Sequence, residues 1–268
     1  MKVAFDYIAQ DYDQTFTNTL VGKAQRKLVW AYLDKVLVDK EISVLELNCG
    51  TGEDAVWLAR KGHKVMATDI SEAMVNQVEL KAIKNDLLEV LSFQVFDIKD
   101  INEFFDEQKF DLIFSNFGGF NCLSPENLTI FFDTKLPKLL KPDGKFIGVI
   151  MPKLCIWESV FFLSTLQFSK VFRRFSKRPL EANLGNGSSV KTWYYAPKDI
   201  AKVLPCTLKV SHKQPIGFFV PPSYVNGAFE KKTTFLRFLE SLESLAIKIP
   251  FLSKMSDHFL IEIKSKSI

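Results

Sequence analysis

Residues 44–55 read VLELNCGTGEDA. Val44 to Leu47 is a short apolar run of the kind buried in a sheet, and Gly50 and Gly52 supply a tight turn. Ala55, Leu58 and Ala59 then recur at helical spacing across 52–61. A second apolar run at 64–67 follows, so the spacing predicts strand (43–47), turn, helix (52–61), strand (64–67).

Outward from this unit the pattern repeats. Helix is expected over 71–84, strand over 91–96, a short helix over 100–106, strand over 110–115, helix over 125–140 and strand over 145–151. Gly62 closes one helix, and Lys141-Pro142-Asp143-Gly144 reads as a turn after another. Alternation of this kind needs right-handed crossovers and gives an α/β fold with a mostly parallel, doubly wound sheet.

After residue 151 the rhythm changes. A helix is expected over 154–168, then a basic and aromatic run, KVFRRFSKR at 170–178, and a loose stretch at 183–189. Strands follow at 191–195 and 208–211, with helices at 197–204 and near 229–246. HFLIEIK at 258–264 alternates like a half-exposed strand.

Composition bounds the rest. The 268 residues suit one large domain, and 35 Lys plus Arg against 31 Asp plus Glu is too small a surplus to imply nucleic acid. Cys49, Cys122, Cys155 and Cys206 are scattered, without metal-like grouping among the three histidines, so no metal is expected and the thiols read as free in a reducing compartment. The amino terminus lacks an export signal, and the apolar stretch 155–168 is too short and too interrupted for a membrane span, so a cytoplasmic protein is expected. Many of the 25 phenylalanines fall after residue 150, which suits either a greasy cavity or an ordinary core.

The glycine turn fits G-x-G-x-x-A, a nucleotide-binding pattern with its ligand at a helix amino terminus. Charge discriminates between ligands. Glu46, Glu53 and Asp54 crowd the turn where a pyrophosphate would lie, and three carboxylates repel a phosphate and attract a cation. S-adenosylmethionine carries an ammonium and a sulfonium and no phosphate. Asp69, after the second strand, is placed to accept ribose hydroxyls, and Asp97, after the third, an adenine amino group, with Ile70 and Ile98 as apolar flanks.

Four stretches in order, VLELNCGTGEDAVWLARKGHKVMATDIS (44–71), FQVFDI (93–98), FDLIFSNFGGFNCL (110–123) and LLKPDGKFIGVI (139–150), resemble the class I S-adenosylmethionine-dependent methyltransferases. One departure is Asn48-Cys49 where that family often has a glycine. The resemblance implies a single domain over 1–268, with a seven-stranded Rossmann-like sheet. It also implies lid helices within 1–40, and 152–196 is then an inserted substrate cap between the fifth and sixth strands. It places Glu46, Asn48, Cys49, Gly50 and Gly52 at the methionine end of the cofactor, Asp69 at the ribose, Asp97 at the adenine with Ile70 and Ile98 flanking its ring, and Ser115 and Asn116 beside the methyl group. Tyr12 would close over the sulfonium through its ring face, and Arg26 would hold the methionine carboxylate.

Every one of these residues has a plainer role beside the functional one. Glu46, Asp69 and Asp97 suit helix or turn caps. Asn116, Gly118, Gly119 and Asn121 suit a turn. Phe117, Asn121, Trp157, Phe161, Trp193 and Tyr194 suit either an acceptor pocket or core, and 170–178 suits a phosphate or membrane grip or a solvated face. His63 is expected on the surface, and His212 and His258 as structural residues; no catalytic residue is assigned. The sequence thus supports methyl transfer to a small, apolar or aromatic acceptor, with S-adenosylhomocysteine as product. DNA is disfavoured because Ser-Asn-Phe-Gly-Gly replaces an Asn-Pro-Pro-Tyr-like stretch, and RNA is the less expected acceptor, left open by the basic segment 170–178. An NAD-dependent oxidoreductase and a silent cofactor- or partner-binding module are the alternatives. The acceptor atom and the oligomeric state are not legible.

Overall fold

The computed structural model describes residues 3–37, 40–101, 105, 108–185, 187–229 and 232–266. Strand β1 (Ser43–Leu47) leads through the glycine turn into helix α2 (Glu53–Arg60) and β2 (Lys64–Asp69), as the spacing predicts. Helix α3 (Glu72–Lys84), β3 (Leu91–Val95), β4 (Phe110–Ser115) and β5 (Leu140–Ile150) follow. With β8 (Leu208–Ile216) and β9 (His258–Ser265) they form a seven-stranded sheet in the order β3-β2-β1-β4-β5-β9-β8. β9 runs antiparallel to both neighbours, and all the other pairs are parallel.

Both faces of the sheet are covered, so its central strands are apolar throughout. Leu45, Leu47, Ile113 and Phe146 point to one face, where Phe120, Phe131 and Phe132 join them. Val44, Leu112, Phe114 and Ile147 point to the other, under Val29 and Leu33 of helix α1 (Leu20–Val36) and Leu58 of α2. Glu46 shares the second face, since side chains alternate along a strand. α3 starts at Ser71, whose hydroxyl accepts from the Met74 amide at 3.1 Å.

Three elements differ from the sequence reading. The expected helix over 125–140 is Pro125–Ile130 and Leu136–Leu139 joined by a π turn, Phe131–Lys135. Lys141–Gly144 belongs to β5, where the pairing register with β4 shifts between Phe110 and Leu112, so an irregular strand replaces a turn. A 3-10 turn, Ile98–Asp100, leads into the expected helix over 100–106, of which Ile101 is helical; residues 102–104 and 106–107 lie outside the described residues. The loose run 183–189 and the expected strand at 191–195 are replaced by a separate hairpin of β6 (Leu180–Gly185) and β7 (Ser188–Thr192), with Gly187 at φ 74°.

The segment between β5 and β8 also holds helix Ile156–Ser164. A buried network pins it down. Glu158 accepts from Arg173 at 2.7 and 3.1 Å and from Arg174 at 2.9 and 3.0 Å. Arg174 also reaches Asp257 Oδ1 at 3.2 Å, and Gln25 of α1 donates to Asp257 Oδ2 at 3.1 Å. Arg174 is therefore an interior strut, where the sequence also allowed a solvated face.

Candidate functional site

The sheet's carboxyl end carries two adjoining clefts that share Tyr12, Asn48, Gly50, Asn116 and Phe117 as walls. The larger, about 110 Å³, adds Phe5, Asp69, Ile70, Met74, Gly118, Gly119 and Cys122. The smaller, about 30 Å³, adds Arg26, Glu46, Cys49, Thr51, Glu53 and Asp54. Residues from three strand ends and the amino-terminal segment thus meet at one place.

The departure at Asn48 has a local explanation. Asn48 adopts φ 55°, a left-handed conformation that asparagine tolerates better than most residues. Its side chain presses on Gly119, where an added Cβ would meet Asn48 Cβ at 2.5 Å, so residue 119 has room only for glycine. Gly52 caps α2 at φ 76°, and a Cβ there would meet the Val78 side chain at 2.8 Å. Gly52 therefore seats α2 on α3 and does not line a cleft.

Asp69 accepts from the Gly50 amide at 2.9 Å and from the Ser71 amide at 3.0 Å, tying the end of β2 to the glycine turn. Burial nevertheless keeps its carboxyl above the usual range. Glu46 is fully buried beneath the turn, and its Oε2 has no hydrogen-bond partner among the described residues. Burial, reinforced by the nearby Asp54 carboxylate, pushes the Glu46 carboxyl well up from 4.5.

Asp54, read from the sequence only as one carboxylate of an acidic turn, is the centre of a side-chain network that the sequence did not show. It pairs with the Arg26 guanidinium, accepts from Trp30 Nε1 at 2.6 Å and from Asn116 Nδ2 at 2.9 Å. Its position one residue into α2 was visible, but its partners lie 24 to 62 residues away along the chain. Arg26 also sits over the Phe117 ring at 5.0 Å, and its Nε has no partner among the described residues. Desolvation lowers the Arg26 pKa, and Asp54 more than restores it.

The amino-terminal segment lies across the clefts as a strap. Asp6 Oδ1 accepts from the Ser71 hydroxyl at 2.6 Å. Asp13 accepts from the Thr51 hydroxyl at 2.6 Å and pairs with Lys81 at 2.7 Å. Lys81 also reaches Glu53 at 3.3 Å, so part of the acidic crowding is neutralised by the chain itself. Tyr12 lies between these latches, its hydroxyl pushed up to about 12 by burial.

Other expected site residues lie apart from the clefts. Asp97 accepts from the Lys99 amide at 2.9 Å as a cap. Ile98 lines a separate cavity with Lys99, Leu123 and Phe131. Ser115 is buried, its hydroxyl 3.5 Å from Asn48 Oδ1. Asn121 spends its amide on the backbone of Met151 and Trp193, at 2.6 to 3.1 Å. Trp157 meets Phe229 edge-on at 6.3 Å and Phe161 is partly exposed. Trp193 packs against the Phe131 core, and Tyr194 lies under Arg174 at 5.0 Å. His258, whose Nδ1 lies 3.1 Å from Asp257 Oδ2, meets Phe117 edge-on at 5.6 Å, and so approaches the cleft wall from the side of β9.

Residues 44–144 match the family model for the methyltransferase domain. These residues form a class I methyltransferase domain. The fold is that of the S-adenosylmethionine-dependent enzymes of this class. The chain is 28% identical over 153 residues to the demethylmenaquinone methyltransferase of Clavibacter sepedonicus, covering 55% of this chain and 56% of that one. It is 30% identical over 81 residues to the tRNA 5-carboxymethoxyuridine methyltransferase of Escherichia coli K12, covering 29% and 31%. The chain therefore spans between a third and about half the length of these curated relatives. Its fold superposes on the CcbJ methyltransferase of Streptomyces caelestis with a TM-score of 0.61, 14% identity and 99% of both chains covered. Among the described residues, no helix of this domain or its extensions is long and apolar enough to cross a membrane.

Proposed function

We propose that the protein transfers the methyl group of S-adenosylmethionine to a small, apolar or aromatic acceptor and releases S-adenosylhomocysteine. One observation carries this reading: the small cleft holds a buried carboxylate oxygen and a buried guanidinium nitrogen, Glu46 Oε2 and Arg26 Nε, each without a partner among the described residues. Orphaned polar atoms of opposite charge complement a zwitterion, because each costs free energy until it is matched. The amino-acid end of S-adenosylmethionine offers an ammonium for Glu46 and a carboxylate for Arg26; a dinucleotide's pyrophosphate offers nothing to Glu46. When bound, the cofactor supplies an electrophilic methyl on a sulfonium.

The chain's own groups then position and seal. Asp69 and Ile70 border the larger cleft, where a ribose and base would extend, and Asp97 stands beyond it at the end of β3. Tyr12 and the strap exclude water, and Asn116 and Phe117 hold the wall on the acceptor side. In-line transfer of a methyl group gains from orientation alone.

A thermal-shift series tests the reading. At about a hundredfold excess over Kd, S-adenosylhomocysteine should raise Tm by about 5–10 °C, and NAD should leave it unchanged. The reverse result would favour the oxidoreductase, no shift with either would favour a partner-binding module, and a shift with S-adenosylhomocysteine but no methyl transfer to any small acceptor would favour a silent cofactor-binding module.

A further inference from the structure

The phenylalanines after residue 150 are not gathered into a cavity. Leu166 is 74% exposed, Phe168 and Phe172 65% each, and Phe175 53%. An apolar surface of this density on a water-soluble face needs an occupant. A second run of rings lies toward helix Thr233–Ala246: Trp157 meets Phe229 at 6.3 Å, Phe229 stacks on Phe235 at 6.1 Å, and Phe235 stacks on Phe238 at 6.4 Å. There Phe235 and Phe238 are about half exposed as well.

Charge selects the occupant. Between residues 165 and 180 stand Lys170, Arg173, Arg174, Lys177 and Arg178, and no acidic residue. Arg174 is consumed inside by Glu158 and Asp257, and Arg173 by Glu158. Lys170, Lys177 and Arg178 remain on the exposed side without an ion pair among the described residues. The buried pairs hold the backbone under the exposed rings, so docking need not wait for this segment to fold. Leu166, the most exposed of the apolar side chains, is held at φ 57°, a conformation that leucine rarely adopts.

We propose that the aromatic and basic face of residues 163–178 docks on an anionic phospholipid surface. Exposed rings enter the headgroup boundary while the cations meet lipid phosphates, the combination that holds a protein on a membrane without spanning it. The proposal goes beyond methyl transfer and does not depend on it, since no cofactor takes part in the contact.

The test is co-sedimentation of the whole protein with sucrose-loaded vesicles. Vesicles of equal parts phosphatidylglycerol and phosphatidylcholine should pellet the protein at low salt, and pure phosphatidylcholine should pellet much less. Raising the salt should weaken the association, because screening shortens the reach of the charges. Lys177→Gln with Arg178→Gln should reduce partitioning by about 25-fold, from about fivefold per charge, the equivalent of about 1 kcal/mol each. Phe168→Ser with Phe172→Ser should reduce it at least about tenfold while Tm stays unchanged, since both rings are on the surface. The proposal is overturned if the wild type stays in solution with the anionic vesicles, or if the phenylalanine pair binds like the wild type. It is overturned equally if size exclusion reveals a dimer that the phenylalanine substitutions dissociate, which would assign the face to a second copy.

Discussion

The carboxylate rim at the ends of β1 and β2 and the aromatic, basic face of residues 163–178 treat charge and apolar surface in opposite ways. At the rim, Glu46, Asp54 and Asp69 are taken out of water, at a cost that Arg26 and the backbone amides of the glycine turn offset only in part. On the face, Leu163, Leu166, Phe168, Phe172 and Phe175 are left in water. A rim that hides unmatched charge is built for a polar ligand of complementary charge, and a face that exposes rings beside cations is built for a surface. Their foundations differ too: the rim rests on consecutive strand ends of one sheet, tied by Arg26–Asp54–Asn116 and Gly50–Asp69, and the face on a buried network joining positions 25, 158, 174 and 257.

Breaking the network should give the largest effect. Arg174→Met leaves Glu158 and Asp257 buried with less compensation and should cost about 3–5 kcal/mol in urea unfolding. It should leave S-adenosylhomocysteine affinity nearly unchanged if rim and face are independent. Glu158 and Asp257 carry an acid limit as well. Burial alone would raise both carboxyls, but for Glu158 the hydrogen bonds from Arg173 and the Arg174 charge, and for Asp257 His258 and Arg174, hold them below the usual range. A depressed folded pKa stabilises at neutral pH and the benefit disappears as pH falls, so the wild type should lose stability below about pH 4.

Trp157→Ala should have a smaller effect, about 2 kcal/mol of stability, because the half-buried ring packs on Phe229 beside Val21 and Ala24 of α1. Its effect on cofactor affinity should be slight; a selective loss of turnover at unchanged Tm would instead return Trp157 to the acceptor pocket. Asp13→Asn should be smallest. It weakens the latch to Lys81 and should raise the dissociation rate of S-adenosylhomocysteine about two- to fivefold in stopped flow, the worth of a partly exposed pair.

The sheet was legible because its signals are local. The 44–69 unit has period and turn chemistry within a few residues of each other, and β4 begins and ends where its apolar run does. The carboxylate rim was legible for the same reason: Glu46, Asn48, Gly50, Asp69 and Asn116 stand at strand ends and line adjoining clefts in the structure. What escaped depends on distant partners. Asp54 is defined by Arg26, Trp30 and Asn116, and Arg174 by Asp257, 83 residues away. The β6–β7 hairpin carried its own sign in Asn186-Gly187 between two candidate strands, but the surrounding polar residues masked it. The phenylalanines after residue 150 misled because composition counts rings without saying which way they face.

Calorimetric titration of S-adenosylhomocysteine into the wild type and into Glu46→Gln, across a pH series, reaches the rim most directly. Because the empty protein raises the Glu46 carboxyl well above 4.5 and an ammonium requires it ionised, binding should release a proton and wild-type affinity should climb as pH rises above 4.5. Glu46→Gln should bind at least about tenfold more weakly at the top of the series, a loss of about 1.4 kcal/mol, with that climb removed. Equal affinities for the two proteins, with the same pH dependence, would show that Glu46 does not meet the ligand's cation.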